Sequence, residues 1–214
     1  MRVLVFSRTT GFRHDSIPAG VRAMRELHPR VAATEDPTAL EDLTGVDAVV
    51  FLNTNGDVLT GAGRAELERY VRGGGGFLGV HSAAATEYGW PFYGELVGAW
   101  FDKHPAVQPA TITVSDPDHP ATAYLPAAWA RVDEWYDFRS RPDARVLLRV
   151  DESTYAGGGM GADHPLAWCH ERLGGRAFYT ALGHTIESYA EPAFRKHLSK
   201  ALEWVTNIST HGHR

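Results

Sequence analysis

Gly76-Phe77-Leu78-Gly79-Val80-His81-Ser82-Ala83-Ala84-Ala85 is the stretch that decides the fold. An apolar strand ends at His81, and small residues then lead towards a helix. In an open α/β sheet, the carboxyl ends of the strands border the crevice where ligands bind. Several hydrolase families place a nucleophilic Ser or Cys at such a strand-to-helix turn. An imidazole at this position instead predicts a reactive site that uses acid–base or metal-assisted chemistry.

Apolar runs that suit a sheet buried on both faces precede this stretch along the first half of the chain. Strands are predicted at residues 2–7, 31–34, 47–52 and 77–80. One helix is predicted to begin near Ser16, with Pro18 in its first turn, and another to run from Thr60, its cap, to Val71. This β-α-β-β-α-β order predicts parallel strands joined by right-handed crossovers.

The second half of the chain has a different pattern. Alternating apolar and polar residues predict extra antiparallel strands over 107–114, 129–138 and 145–150. A late hairpin is predicted from strands at 165–170 and 176–180, and a final helix from Pro192 to Val205. The expected fold class is therefore α/β, with a mainly parallel central sheet and helices on both of its faces.

Length and composition limit the classes of protein. The 214 residues predict one domain over 1–207, followed by a disordered tail at 208–214. A net charge of −5 argues against a nucleic-acid partner, which would need a basic surface. The sequence has no apolar run long enough for a membrane span and no signal-peptide pattern. Cys169, the single cysteine, cannot form an internal disulfide, so a cytoplasmic location is expected.

Four of the 11 histidines lie beside predicted strand ends or loops, namely His14, His81, His104 and His184. The first and fourth strands deliver their carboxyl ends to the same rim of the sheet, so His14 and His81 are expected to meet there. Spacing alone does not place His104 or His184. The alternative for each is a solvated or structural imidazole. No HExxH motif or His/Cys zinc spacing is present.

Other polar residues are candidates for binding a substrate. If residues 133–138 form a strand, Glu134 and Tyr136 share one face. A carboxylate beside aromatic rings is common where sugars bind, although a half-exposed edge strand with solvated acids would look the same. The candidate substrate-binding residues are Thr10, Arg13, His14, Ser82, His104, Glu134 and Tyr136.

Six short segments together resemble the ThuA-like (trehalose utilisation) family. They are Thr10-Gly11-Phe12-Arg13-His14-Asp15-Ser16, Gly79-Val80-His81-Ser82-Ala83, Phe101-Asp102-Lys103-His104-Pro105, Asp133-Glu134-Trp135-Tyr136, Pro165-Leu166-Ala167-Trp168 and Gly175-Arg176-Ala177-Phe178-Tyr179-Thr180-Ala181-Leu182-Gly183-His184. The resemblance covers about residues 2 to 205. It implies a flavodoxin-like fold of the class I glutamine amidotransferase-like superfamily.

The amidotransferases of that superfamily carry a nucleophilic cysteine at the turn after the fourth strand, with a His and a Glu downstream. Here His81 occupies the turn, and His184 and Glu187 are three residues apart instead of two. Cys169 lies in the predicted late hairpin. We therefore expect that this protein does not hydrolyse glutamine through a thioester.

The resemblance implies a role in carbohydrate metabolism. The expected partner is a small carbohydrate, such as a disaccharide or an oxidised 3-keto sugar, with a functional link to a sugar oxidoreductase. The resemblance also allows a divalent metal such as zinc, with His14, His81, His104 and His184 as the ligands to consider. A homodimer is the default expectation for an enzyme of this kind.

Two classes of function remain open. In an enzyme (a sugar hydrolase, lyase or isomerase), His81 would be general base or metal ligand, His184 the acid, and Glu187 would orient His184. Arg13 would hold an anionic or enolate oxygen. The alternative is a non-catalytic sugar-binding or regulatory module, and a metal-binding protein with a structural histidine cluster is a third reading.

Overall fold

A continuous nine-stranded sheet forms the centre of the protein. The computed structural model describes residues 1–206, and the predicted tail at 208–214 lies outside the described residues. The helices and strands in chain order are β1 (Val3–Phe6), α1 (Ile17–Leu27), β2 (Val31–Thr34), β3 (Ala48–Leu52), α2 (Gly61–Arg72), β4 (Gly76–Val80), α3 (Pro91–Val97), β5 (Phe101–Lys103), β6 (Gln108–Val114), β7 (Ala128–Asp133), β8 (Asp137–Phe138), β9 (Arg145–Asp151), β10 (Pro165–His170), β11 (Ala177–Thr180) and α4 (Pro192–Val205).

The strand order of the large sheet is β2-β1-β3-β4-β11-β10-β9-β6-β7. The five strands from β2 to β11 are parallel, and the remaining pairs are antiparallel. Strands β1, β3, β4 and β11 therefore end at one rim, which we call the carboxyl rim. The predicted α/β fold class is confirmed, including the parallel first half and the antiparallel additions.

The core consists of the apolar runs recognised in the sequence. Every residue of β1, β3, β4 and β11 is buried. Burial on both faces explains why these strands read as unbroken apolar runs rather than alternating ones. Thr60 caps α2, because its side chain accepts a hydrogen bond from the backbone N–H of Gly63. No helix among the described residues combines the length and the apolar character needed to cross a membrane.

The segment after β7 departs from the prediction. One strand was expected over 129–138, but β7 ends at Asp133 and the chain leaves the sheet. The Asp133 carboxylate accepts hydrogen bonds from loop 183–184, and the buried Trp135 indole donates to the Gln108 carbonyl. These long-range contacts outweigh the local strand pattern. They carry residues 134–136 back over the carboxyl rim before β8 pairs with β5 in a second small sheet.

Candidate active site at the carboxyl rim

His81 begins a tight 3-10 turn, His81–Ala85, directly after β4. Its φ of +50° lies in the left-handed region, which costs a non-glycine residue about 1–3 kcal/mol. The small side chains of residues 82–85 are all buried and leave space for this turn. The fixed backbone directs the His81 ring to Ala181, whose carbonyl oxygen lies 2.7 Å from Nδ1. Because a carbonyl only accepts, Nδ1 carries a proton and donates a hydrogen bond to Ala181.

His14 reaches the same place from the loop after β1. Its ring is buried and stands edge-on to His81, at 4.7 Å between centroids, and to His184, at 5.0 Å. The Ser82 hydroxyl lies 3.3 Å from Nδ1 of His14. Burial, reinforced by the neighbouring His81 and His184, lowers the pKa of His14 to about 3. His14 is therefore neutral at physiological pH.

Glu134 and His184 complete the group. Oε2 of Glu134 lies 3.1 Å from His184 Nδ1 and 3.4 Å from His81 Nε2, while the two imidazole nitrogens are 3.2 Å apart. We call His14, His81, Glu134 and His184 the histidine cluster. The prediction that His14 and His81 meet at one rim agrees with this geometry, and the structure adds His184 and Glu134 to them.

The charged forms of Glu134 and His184 stabilise each other. Burial opposes ionisation of the Glu134 carboxyl, yet the hydrogen bonds from His184 and His81 outweigh it and hold its pKa well below the ordinary value. Burial likewise opposes protonation of His184, but the hydrogen bond to Glu134 raises its pKa. The pair therefore favours a carboxylate beside a protonated imidazole, which is an arrangement that can deliver a proton.

Asp133 fixes the backbone of both partners. Its fully buried carboxylate accepts the N–H groups of Glu134, at 3.0 Å, of Gly183, at 3.0 Å, and of His184, at 3.1 Å. Gly183 has a φ of +112°, a conformation that favours glycine. Arg131 neutralises Asp133 across 3.1 Å. Sequence reasoning did not assign Asp133 a role, because nothing in its local pattern shows that it contacts a loop 50 residues away.

Aromatic rings and His104 border the Glu134 end of the cluster. The centroid of the Tyr136 ring lies 4.2 Å from that of the His81 ring, and the centroid of the Phe101 ring lies 4.3 Å from that of Tyr136. Burial raises the pKa of the Tyr136 hydroxyl well above its ordinary value, so the phenol stays neutral. His104 is 41% exposed, and its Nδ1 lies 3.0 Å from Glu134 Oε1. Glu134 thus connects the buried histidines to a histidine at the surface.

The histidine cluster suits a metal ion by its donor set. Each of its four residues offers one ligand atom, and these atoms all lie within 4.8 Å of one another. The His81 Nδ1–H group donates to a backbone carbonyl, which is the usual second contact of a metal-binding histidine. Three imidazoles and a carboxylate are ligands that zinc accepts. His104 was expected among the ligands, but it lies outside this set and Glu134 takes its place.

Three predicted site residues lie away from the cluster. Glu187 was expected to orient His184, but it is exposed on the turn Glu187–Ala190 and makes no hydrogen bond to His184 within residues 1–206. Glu134 makes that contact. Arg13 forms an exposed ion pair with Glu35, at 2.7 Å, and Thr10 donates to the Asp57 carbonyl. Ser82 directly follows His81, and its hydroxyl contacts the cluster at His14.

A second group of titratable residues lies behind Tyr136. His164 is buried, with Nε2 at 2.8 Å from the Tyr136 carbonyl and Nδ1 at 2.7 Å from Glu152 Oε1. Asp137 Oδ1 lies 3.9 Å from His164 Nε2. We call Asp137, Glu152 and His164 the glycine-loop cluster, because backbone N–H groups of residues 159–161 donate to both carboxylates. The sequence analysis did not single out His164.

Cys169 is not part of the histidine cluster. It lies buried in β10, and burial raises the pKa of its thiol to about 12. The strained turn after β4 carries His81 instead of a cysteine. The geometry therefore provides no thiolate nucleophile at the carboxyl rim.

Fold and cluster together define a flavodoxin-like α/β protein of the glutamine amidotransferase-like type, with histidine in place of the nucleophile at the turn. The family model described as "ThuA: Trehalose utilisation" matches residues 2–205, and the chain belongs to this family. Membership indicates a role in sugar metabolism. A search of curated proteins gave no match.

Solved structures agree with the fold. A ThuA-like protein from Bacteroides uniformis has a TM-score of 0.82 and 23% identity, with 100% of this chain and 94% of that chain covered. A ThuA-like protein from Parabacteroides merdae has a TM-score of 0.82 and 20% identity, covering 100% and 93%. A Salmonella typhimurium protein described as cytoplasmic has a TM-score of 0.65 and 13% identity, covering 96% and 99%. At these identities the likeness shows the fold alone.

Proposed function

We propose that the protein is an enzyme of sugar metabolism that acts on a disaccharide or keto-sugar through the histidine cluster. The observation that carries the proposal is the convergence of His14, His81, Glu134 and His184 within hydrogen-bonding or ring-contact distance at the carboxyl rim. In α/β sheets this rim is where ligands bind. Acid–base groups near neutral pKa suit proton transfer next to a sugar carbonyl.

His184 is the cluster residue that meets the substrate. Its side chain is 24% exposed, whereas that of His81 has no exposed surface. Glu134 raises the pKa of His184, so His184 gives its proton to a sugar oxygen and takes one back at the end of the cycle. His81 fixes this arrangement from behind through its contacts with Glu134 and His184. Substrate oxygens then lie near His184 and the exposed His104.

In a metal-loaded form, His14, His81, Glu134 and His184 would hold a divalent ion such as zinc, and His184 would then be a ligand instead of the proton donor. When bound, such an ion supplies a Lewis acid for a carbonyl oxygen or lowers the pKa of a coordinated water. The donor set and the His81 contact to Ala181 support this part of the proposal. Elemental analysis of untagged protein tests it directly, and a chelator should lower the unfolding temperature of metal-loaded protein.

The main experiment is incubation of the purified protein with 3-keto-trehalose and, separately, with trehalose, followed by NMR of the products. Glycosidic cleavage, elimination or isomerisation by the wild type, and its loss in His184→Gln, is the expected result. Binding of either sugar without any product over a long incubation would contradict the enzyme proposal. That outcome would favour the sugar-binding or regulatory module instead.

A further inference from the structure

Phe12 is the most exposed large hydrophobic side chain within residues 1–206, with 64% of its surface accessible. Single exposed apolar residues are common on protein surfaces and need no special cause. Two features set Phe12 apart. Its loop is held rigidly, and its ring lies directly beside the histidine cluster.

The loop that carries Phe12 is clamped against the segment after β3. Asn55 accepts the backbone N–H of Phe12 through its side-chain Oδ1, at 3.0 Å, and that of Thr10 through its carbonyl, at 2.8 Å. A Cβ added to Gly11 would collide with Asn55 Oδ1, so the two segments are in close contact. The backbone therefore holds Phe12 at a fixed position at the rim.

The Phe12 ring stands edge-on to His14, with 4.9 Å between centroids and an angle of 81°. The other end of the cluster is bordered by Phe101, Tyr136 and His104, whose rings lie within 6 Å of one another. The cluster thus has aromatic side chains at its Glu134 end and an exposed aromatic side chain at its His14 end. Sugar rings offer apolar C–H faces that pack on flat aromatic surfaces.

We infer that Phe12 is a stacking platform for a second sugar ring, so that the site prefers a disaccharide to a monosaccharide. This inference rests on the proposed function because it takes from it that the substrate is a sugar, but it does not depend on the proposed chemistry. One ring of the disaccharide lies beside His184 and His104, and the neighbouring ring covers the face of Phe12. An aromatic contact of this type contributes about tenfold in affinity.

The test is a titration of the full-length protein with trehalose and with glucose, monitored by NMR. In Phe12→Leu the Kd for trehalose should rise about tenfold, while the Kd for glucose stays unchanged. Phe12→Trp should keep the preference of the wild type because it retains a flat ring. Val132→Thr, at an exposed position on β7, is the matched control for lost apolar surface and should bind as the wild type does.

Equal Kd values for trehalose in the wild type and Phe12→Leu would overturn the inference, as would an equal change for both sugars. If Phe12→Leu changed the oligomeric state and left the sugar affinity unchanged, the inference would also be overturned, and Phe12 would instead belong to an interface with another protein chain. Because the titration measures affinity and not product, the preference for trehalose can hold even if no product is ever formed. The experiments can therefore disprove the proposed chemistry and the proposed stacking platform independently of each other.

Discussion

The histidine cluster and the glycine-loop cluster contain the same types of residue but differ in how their polar atoms are used. In the glycine-loop cluster, both nitrogens of His164 face acceptors, and Glu152 and Asp137 accept backbone N–H groups. In the histidine cluster, the side chains mainly face one another, and His184 is open to solvent.

We interpret the glycine-loop cluster as a structural group and the histidine cluster as the reactive one. Glu152 accepts two backbone N–H groups and contacts His164, which holds it in place, whereas Oδ2 of the buried Asp137 has no hydrogen-bond partner among the described residues. Imidazoles and a carboxylate that face one another share protons and keep ligand atoms directed at a common space. The arrangement of partners, rather than the presence of titratable residues, identifies the candidate site.

The strongest test of the comparison uses the same substitution in both clusters. His184→Gln should lower kcat/KM on the responsive sugar by about 10²–10⁴-fold, because it removes the proposed proton donor. His164→Gln should leave kcat/KM within a few-fold in protein that is fully folded. Steady-state kinetics at a temperature well below both unfolding transitions measures the two values. Equal losses of activity in the two variants would abolish the distinction between the clusters.

Acid should affect the histidine cluster through His14. The pKa of His14 in the folded protein is about 3, below the ordinary value of 6.5, so between these values the unfolded chain binds a proton that the folded protein does not. Stability is therefore lost as the pH falls from about 6.5 towards 3. His14→Gln should make this decline shallower by up to about 1.4 kcal/mol per pH unit.

Urea unfolding of the metal-free protein at several pH values measures this slope. His119 and His197 also have pKa values lowered to about 4 by burial, so part of the acid sensitivity should remain in His14→Gln. An unchanged slope in the variant would show that His14 takes up a proton in the folded state. His14 would then be a donor within the cluster instead of a neutral ring.

Much of the fold could be predicted from the sequence, because the apolar runs of β1, β3 and β4 require burial on both faces. The meeting of His14 and His81 followed from the same reasoning, since parallel strands end at one rim. The positions of Glu134 and His184 could not be predicted. They depend on the return of residues 134–136 over the rim, which is set by contacts such as Asp133 with Gly183.

Glu187 illustrates the limit of reasoning from spacing. Because Glu187 follows His184 by three residues, it was expected to orient the His184 ring. The turn Glu187–Ala190 instead places Glu187 at the surface. The carboxylate that contacts His184 comes instead from a residue 50 positions earlier in the chain. Nothing in the sequence indicates that two residues so far apart along the chain are in contact. The prediction of a single domain over 1–207 stays a prediction.

The glycine-loop cluster should matter for stability. His164→Gln removes one of the partners of the Glu152 carboxylate and the donor to the Tyr136 carbonyl, both at buried or partly buried positions. We expect a loss of about 1–3 kcal/mol in the free energy of unfolding. Denaturant titration at neutral pH measures it. His184→Gln, at a more exposed position, should lose less, and the reverse order would contradict the structural role of His164.

Asp133 belongs to the histidine cluster by position but resembles the glycine-loop cluster in its contacts, because backbone N–H groups occupy its carboxylate. We expect it to position Glu134 and His184 without touching the substrate. In Asp133→Asn, an amide NH₂ replaces one accepting oxygen and faces the N–H of Gly183 or His184. The expected result is a fall of about tenfold in kcat with little change in KM, the smallest of these effects on the site.

The control is Glu191→Gln, which removes another partner of Arg131, at 3.3 Å, without contacting the histidine cluster. Both variants weaken the charge balance around Arg131, so both should lower stability. Only Asp133→Asn should also lower kcat and shift the pH dependence of kcat, because only Asp133 fixes the loop that carries His184. If Glu191→Gln lowered kcat equally, the effect would belong to the Arg131 network as a whole. The contrast between carboxylates that are held by backbone N–H groups and the carboxylate proposed to take part in the reaction would then not apply to Asp133.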